Sequence, residues 1–392
     1  MNQKKINLAI DANEANTIDR VGSNIYAFEI LKAIEKLTQQ DPDYHICVFL
    51  SSQPVADLPT PRAGFEYKVI GPQFLWTQFG EPIHLFLNKD QYDVFFTPGH
   101  YAPRCCPIPY VSSVMDLAFL KYPDQFQQSD LIQLKHWTSY SVKHANKVIA
   151  ISSFTKADVV KTYHKNETDV VVAPPAVAEI SPATTTQSKE FFKRHRIRRP
   201  YFLFIGTFQP RKNLLILVEA YEKFCRRLSS QNFGKNKRQK LLPQLVLAGK
   251  IGWLTDPIIN RIKASPFLDQ IILPGFVKDE IKPILYQDAV ASLLVGLYEG
   301  FGIPPLESLQ YGCLPIVSNV SSLPEAVGEA GILVDPKNVN DINQAMETAY
   351  QQTAKTKAIY RKKGKEQLTR FSWEKSAQII LNTIKSIIHE KA

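Results

Sequence analysis

Tyr298-Glu-Gly-Phe-Gly-Ile-Pro-Pro-Leu-Glu307 follows the aliphatic run Ala289-Val-Ala-Ser-Leu-Leu-Val295 and leads through Ser308-Leu-Gln-Tyr-Gly312 into Cys313-Leu-Pro-Ile-Val-Ser318. The run reads as a buried strand, so the order is strand, glycine turn, helix. Gly300 and Gly302 open backbone angles closed to other residues, and Pro304 or Pro305 suits the first helical position. Amides near residues 301–304 then point out of the strand end with the positive end of the helix dipole behind them. That is an anion site, and phosphate is its usual occupant. Glu299 precedes the turn, and Glu307 is expected in or near the first helical turn. Carboxylates are poor partners for phosphate but accept well from sugar hydroxyls, so the pair suggests phosphate flanked by polyols. Spacing alone fits an ordinary strand-to-helix turn equally well.

The same unit recurs along the chain. Strands are expected near 6–10, 44–50, 93–96, 110–116, 147–151, 170–172, 201–205, 245–249, 271–277, 289–295, 315–317 and 331–336, each followed by a polar loop and a helical pattern. That rhythm predicts an α/β protein with parallel, doubly wound sheets and ligand loops at the strand ends. A length of 392 residues exceeds what one core serves, so two domains are expected. The boundaries fall at 1–178 and 201–372. Between them lies a Ser/Thr-rich, then basic, linker and entry helix (179–200), and a closing helix covers about 373–392.

Apolar residues are 44%, charged residues 21%, and the net charge is +10 from 47 basic and 37 acidic side chains. The profile is that of a globular chain attracted to anions. Cys47, Cys105, Cys106, Cys225 and Cys313 make an odd count with no Cys-x-x-Cys pair. Neither a disulfide framework nor a zinc site is supported, and a reducing cytoplasm is expected. Residues 6–10 are too short an apolar run for a signal peptide, and no stretch reaches about 18 uncharged apolar residues. The lysine-rich stretches 235–240 and 355–365 lack interleaved aromatics, so they read as solvated surface and nucleic acid is not expected. Gly206-Thr-Phe-Gln-Pro-Arg-Lys-Asn213 pairs a strand end with two adjacent cations, which fits diphosphate capture or an exposed loop. His100, after the strand near 93–96, reads as a cap of the sheet edge or a binding-loop residue.

Glu299 and Glu307, with Gly300-Phe-Gly302 between them, resemble the Glu-x7-Glu signature of family 4 retaining glycosyltransferases, the group 1, mannosyltransferase-like enzymes. Gly206 to Asn213 is similar to a second pattern of that family. Asp116-Leu-Ala-Phe119 and Lys121-Tyr-Pro-Asp-Gln-Phe126 are typical of its first domain. The resemblance runs from Ile10-Asp-Ala-Asn13 to Trp373. It implies the GT-B fold: two facing Rossmann-like domains, with a nucleotide-sugar donor in the cleft held mainly by the second. By the same resemblance Glu307 holds the ribose and Glu299 contacts the donor sugar. The backbone of Gly300, Phe301 and Gly302 meets phosphate and sugar, and Lys212 contacts phosphate. Arg211 is a second cation, and Thr207 stands where some members carry Arg. In the first domain Gly22 matches the first glycine of a Gly-x-Gly turn, Asn24 takes the second place, and Asp116 joins Glu299 and Lys212 as a catalytic candidate. Met115 stands where many members have His, and a thioether neither relays a proton nor donates a hydrogen bond.

The implied activity is transfer of a hexosyl unit, mannosyl or glucosyl in type, from a nucleotide sugar to a glycan or lipid-linked acceptor with retention. No metal or other cofactor is expected, since fixed cations serve the diphosphate. The basic charge and Phe74-Leu-Trp-Thr-Gln-Phe79 allow a cytoplasmic protein to sit at an anionic membrane surface. Met115 and Asn24 motivate an alternative, a non-catalytic nucleotide-sugar or glycan binder; another GT-B chemistry, such as epimerisation or phosphorolysis, is the third.

Overall fold

The computed structural model describes residues 5–99, 101–178, 180–232 and 241–390. His100 and the stretch 235–240 lie outside them. The chain forms two compact units. One is Met1–Lys121, Gln128–Ala176 and Phe371–Ala392; the other is Tyr122–Gln127 and Val177–Arg370.

The first unit is built on seven parallel strands: β1 (Ile6–Asp11), β2 (Tyr44–Leu50), β3 (Phe65–Val69), β4 (Val94–Thr97), β5 (Tyr110–Val114), β6 (Lys147–Ala150) and β7 (Val170–Val172). Their order is β3-β2-β1-β4-β5-β6-β7. β4 and β5 are buried at every residue, as strands covered on both faces must be. β3, at the edge, was absent from the strands expected above. Only Phe65 of its Phe-Glu-Tyr-Lys-Val sequence is buried, and an exposed edge removes the apolar run that marks its neighbours. The closing helix Trp373–His389 buries Trp373, Ala377, Ile380, Leu381, Ile384 and Ile387 at helical spacing. It packs along helix Ser23–Thr38, where Tyr26 meets Trp373 edge to face at 5.8 Å and Lys36 pairs with Glu374 at 3.0 Å.

The second unit holds β8 (Tyr201–Ile205), β9 (Gln244–Ala248), β10 (Ile271–Gly275), β11 (Ser292–Leu294), β12 (Pro315–Ser318) and β13 (Ile332–Val334), all parallel, in the order β10-β9-β8-β11-β12-β13. The period of two divides its core. Phe202, Phe204, Leu245 and Leu247 enter one cluster, while Tyr201, Leu203, Val246 and Ala248 enter the other. Phe191 and Phe192, on helix Thr185–Arg194, pack against the second cluster. Thr184 and Gln187 cap that helix reciprocally.

In both sheets the first strand of the unit lies beside the fourth: β1 beside β4, β8 beside β11. The chain winds outward in opposite directions from that point, so the loops leaving the two strands diverge and open a crevice. Ligands of open α/β sheets bind there, outside the carboxyl ends.

Candidate active site

At the crevice of the second sheet, β8 runs out into the loop 206–213 and β11 into the loop 295–302. The first loop closes in a single turn, Pro210–Lys212, and Asn213 takes the left-handed conformation at φ 60°. Asn pays less for that backbone than most residues. Its Nδ2 donates to the carbonyls of Val295 (3.0 Å) and Pro336 (2.7 Å), so one side chain ties three loops together. The Leu297 N–H adds a 2.8 Å bond to the Arg211 carbonyl. Arg211 and Lys212 are thereby fixed on backbone that is itself cross-linked.

Glu299 is buried, and both its carboxylate oxygens are engaged. Lys212 Nζ lies 2.6 Å from Oε1 and Arg211 Nη1 lies 3.1 Å from Oε2. Arg211 also donates to the Tyr298 carbonyl (3.0 Å) and to Gln209 (3.0 Å). Burial works to raise the Glu299 pKa, but the two adjacent cations outweigh it and hold the carboxyl below its ordinary value. The Glu299 N–H donates to Ser321 Oγ (3.0 Å), and Ser322 Oγ donates to the Glu299 carbonyl (2.8 Å). The resemblance assigned the cations and Glu299 to different parts of a ligand; the structure brings them into direct contact. One carboxylate against two cations leaves the cluster positive.

Beyond it, Phe301 is buried and Gly302, at φ 104°, sits immediately before helix Ile303–Gln310. A Cβ on Gly302 would lie 2.7 Å from a Leu323 methyl carbon. Ile303, rather than Pro304 or Pro305, takes the first helical position, and no side chain caps this end. The positive end of the helix therefore stands next to the cationic cluster. Glu307 falls in the second turn rather than the first, because the helix begins at Ile303, earlier than the prolines suggested. It is buried between Lys282, whose Nζ is 3.1 Å from Oε1, and Tyr286, whose hydroxyl donates to Oε2 at 3.0 Å. Burial alone would lower the Lys282 pKa; Glu307 and Asp279, the latter 2.8 Å away, carry it above its ordinary value instead. Lys282 and Tyr286 stand four residues apart on one helix, Lys282–Asp288, so they share a face. That spacing is the signal by which they could have been read; Asn213 stood inside the family pattern without a role of its own, and Ser321 and Ser322 carried no signal.

The remaining candidates are described within their own units. Thr207 lies in the loop after β8, beside Gly252, where a Cβ would meet the Thr207 methyl at 3.0 Å. In the first unit Gly22, at φ 55°, precedes helix Ser23–Thr38. Asn24 does not form a second turn glycine-equivalent: it is helical, and its Nδ2 donates to the Glu14 carbonyl at 2.9 Å. Asp116 follows β5 and accepts from the Ala118 N–H at 2.9 Å, opening the short helix Ala118–Lys121. Met115 is buried. No hydrogen bond joins Gly22 to Asp116 among the described residues. Nor do these residues contain a group of three or more His, Cys, Asp or Glu side chains placed to hold a metal. None of their helices is long and apolar enough to cross a membrane.

Parallel sheets of this order in each unit define the GT-B fold. Residues 187–367 match the family described as glycosyl transferases group 1, and the chain is a transferase enzyme similar to that group. It is 25% identical to O-antigen chain mannosyltransferase B of Escherichia coli over 294 residues, 74% of each chain. It is 30% identical to the serotype-specific mannosyltransferase WbdA of Escherichia coli over 48% of this chain, which is 22% of that longer relative. Among solved structures, HepE of Anabaena in complex with UDP-glucose superimposes with a TM-score of 0.71 at 15% identity, over 97% of this chain and 100% of that one.

Proposed function

We propose that the enzyme transfers a hexosyl unit, of mannosyl or glucosyl type, from a nucleotide sugar to a glycan or lipid-linked acceptor in polysaccharide assembly, with retention. The observation that carries this reading is the Arg211–Glu299–Lys212 cluster beside the uncapped end of Ile303–Gln310. A diphosphate gains negative charge as its bond to the sugar breaks, and fixed donors aimed at developing charge stabilise the transition state most. Lys212, with Arg211, serves that oxygen; Gly300, Phe301 and Gly302 bring backbone close to phosphate and sugar. Thr207, in the same loop as the cations, lines the donor side.

In the reaction the anomeric C–O bond to the diphosphate breaks and its electron pair leaves on the phosphate oxygen. The acceptor hydroxyl oxygen forms the new bond on the same face, and its proton passes to the departing phosphate. Glu307 keeps lone pairs beyond the two used by Lys282 and Tyr286, and these suit the ribose hydroxyls. Glu299 fixes the cations and, through its remaining acceptor capacity, orients the sugar. We assign Asp116 and Gly22 to the acceptor-side unit. With the charge supplied by side chains, the reading calls for no metal.

Contact with a membrane from the cytoplasmic side is supported by residues 71–88. Phe74, Phe86 and Leu87 are 78%, 65% and 74% exposed, and Glu81, the single Asp, Glu, Lys or Arg in the segment, is fully buried. The direct test of the reading is donor turnover and donor affinity in Lys212→Ala and Glu307→Ala. Near wild-type values in both would overturn it.

A further inference from the structure

We propose that the second unit carries another ligand site, for a small phosphate-bearing anion, at the end of its sheet opposite the loops that hold Glu299. Pro200 and Leu314, which immediately precede β8 and β12, and Val290, two residues before β11, line a cavity of about 260 Å³. Ordinary small-molecule sites run from roughly 300 to 1,000 Å³, so this one suits a ligand of phosphate or sugar-phosphate size. It lies under the amino ends of the strands, whereas the donor loops leave their carboxyl ends, so the two sites share the strands and no lining residue.

The lining is cationic. Arg199, Lys357 and Arg361 face one carboxylate, Asp288, which is paired with Arg199. Arg361 spends its Nε on the Gly312 carbonyl at 3.2 Å, and among the described residues its terminal nitrogens have no partner. Lys357 has none either among those residues. Gln352 adds a neutral donor, its Nε2 buried and without an acceptor. A buried amide N–H left unbonded is unfavourable, and here it stands beside two cations that no carboxylate pairs among the described residues. A ligand that accepts from Arg361, Lys357 and the Gln352 amide together is an oxyanion with several oxygens. Phosphate fits that description better than a carboxylate, because it has more oxygens for the Arg fork and the Lys that stand four residues apart on helix Ala354–Leu368.

Calorimetric titration of the full chain tests the site, with inorganic phosphate as the probe against chloride of matched ionic strength. Wild type and Lys212→Ala are expected to bind phosphate with similar affinity, and Lys357→Gln about tenfold more weakly, the cost of one charged hydrogen bond. Lys357 is exposed and unpaired, so its loss leaves the fold intact; Gln352→Leu, which removes the buried donor, is expected to weaken binding as well. Glucose 6-phosphate serves as a second probe: tighter binding than phosphate marks a sugar phosphate as the ligand, and equal binding marks phosphate itself. The proposal is overturned if wild type binds neither probe, if Lys357→Gln and Gln352→Leu bind as wild type does, or if Lys212→Ala alone abolishes binding.

Discussion

The Lys212 ammonium stands 2.6 Å from a Glu299 carboxylate oxygen, joining the loops that leave two neighbouring strands of the second sheet. The pair is buried, and Arg211 makes it a triad. Breaking a buried ion pair by removing one partner is costly, because the other charge is left without compensation.

Glu299→Gln is therefore expected to lower stability by about 3–5 kcal/mol, the range for an orphaned buried charge. Turnover should fall too, since both cations lose the carboxylate that fixes them. Lys212→Ala should cost about 10²–10³-fold in kcat, as loss of one preorganised donor does. Chemical denaturation and single-turnover kinetics measure the two effects separately. A Glu299→Gln enzyme with unaltered stability and rate would show that the triad is incidental.

Asn213 separates geometry from bonding. Asn213→Ala loses two hydrogen bonds, leaves the Val295 and Pro336 carbonyls without this donor, and puts alanine at φ 60°. Asn213→Gly loses the same bonds but takes that backbone freely, so it should be the more stable of the two by about 1–2 kcal/mol. Both should raise the KM for donor, because the tie across three loops is gone. Equal stability of the two variants would place the whole effect in the hydrogen bonds.

At Gly302 the close approach decides. A methyl there meets Leu323 at 2.7 Å and requires a left-handed backbone, so Gly302→Ala is expected to cost about 1–3 kcal/mol. Leu323→Ala in the same chain should recover the steric part and leave the backbone part. A thermal-denaturation cycle of the two single variants and the double variant reads the coupling.

In the first unit Glu81 is fully buried, and among the described residues neither carboxylate oxygen has a hydrogen-bond partner. Burial, with Asp11 adding to it, holds its pKa well above the ordinary value. Asp11 itself is raised to about 7 by burial, against the Asn13 N–H and with help from Glu14. An unfolded carboxyl titrates near pH 4, so between these limits the folded chain binds more protons than the unfolded one. For both groups the contribution is complete below about pH 4; it is lost as pH rises through about 7 for Asp11 and through the raised pKa of Glu81 for that residue. Glu81→Gln carries no charge at any pH. Its melting temperature should exceed that of wild type by an amount that grows from pH 4 to pH 8; parallel curves would refute this.

Much of the fold was legible because central parallel strands are apolar throughout. The runs at 44–50 and 201–205 coincide with β2 and β8 residue for residue. β3 escaped because only Phe65 of its five residues is buried, and nothing in a half-exposed pentapeptide sets it apart from a loop. At the site, motif residues could be named but not their partners. That Glu299 would grip Lys212 depends on β8 lying beside β11, a pairing between residues 87 apart that no local pattern encodes. Glu307 was read one turn too early, since two successive prolines fix a helix start only to within a residue or two. Tyr286 and Lys282 went unread because their i, i+4 spacing acquires meaning only once Glu307 faces it.

Helix Trp373–His389 has a consequence for synthesis. Residues 5–170 are made before the segment Trp373–His389, so the surface of helix Ser23–Thr38 that Trp373 covers stays open until that segment emerges. The second unit, whose strands are contiguous from 201 to 334, has its whole sheet in hand earlier. Of these two units the one begun earlier is thus completed later, and a chain cut before Trp373 leaves helix Ser23–Thr38 uncovered.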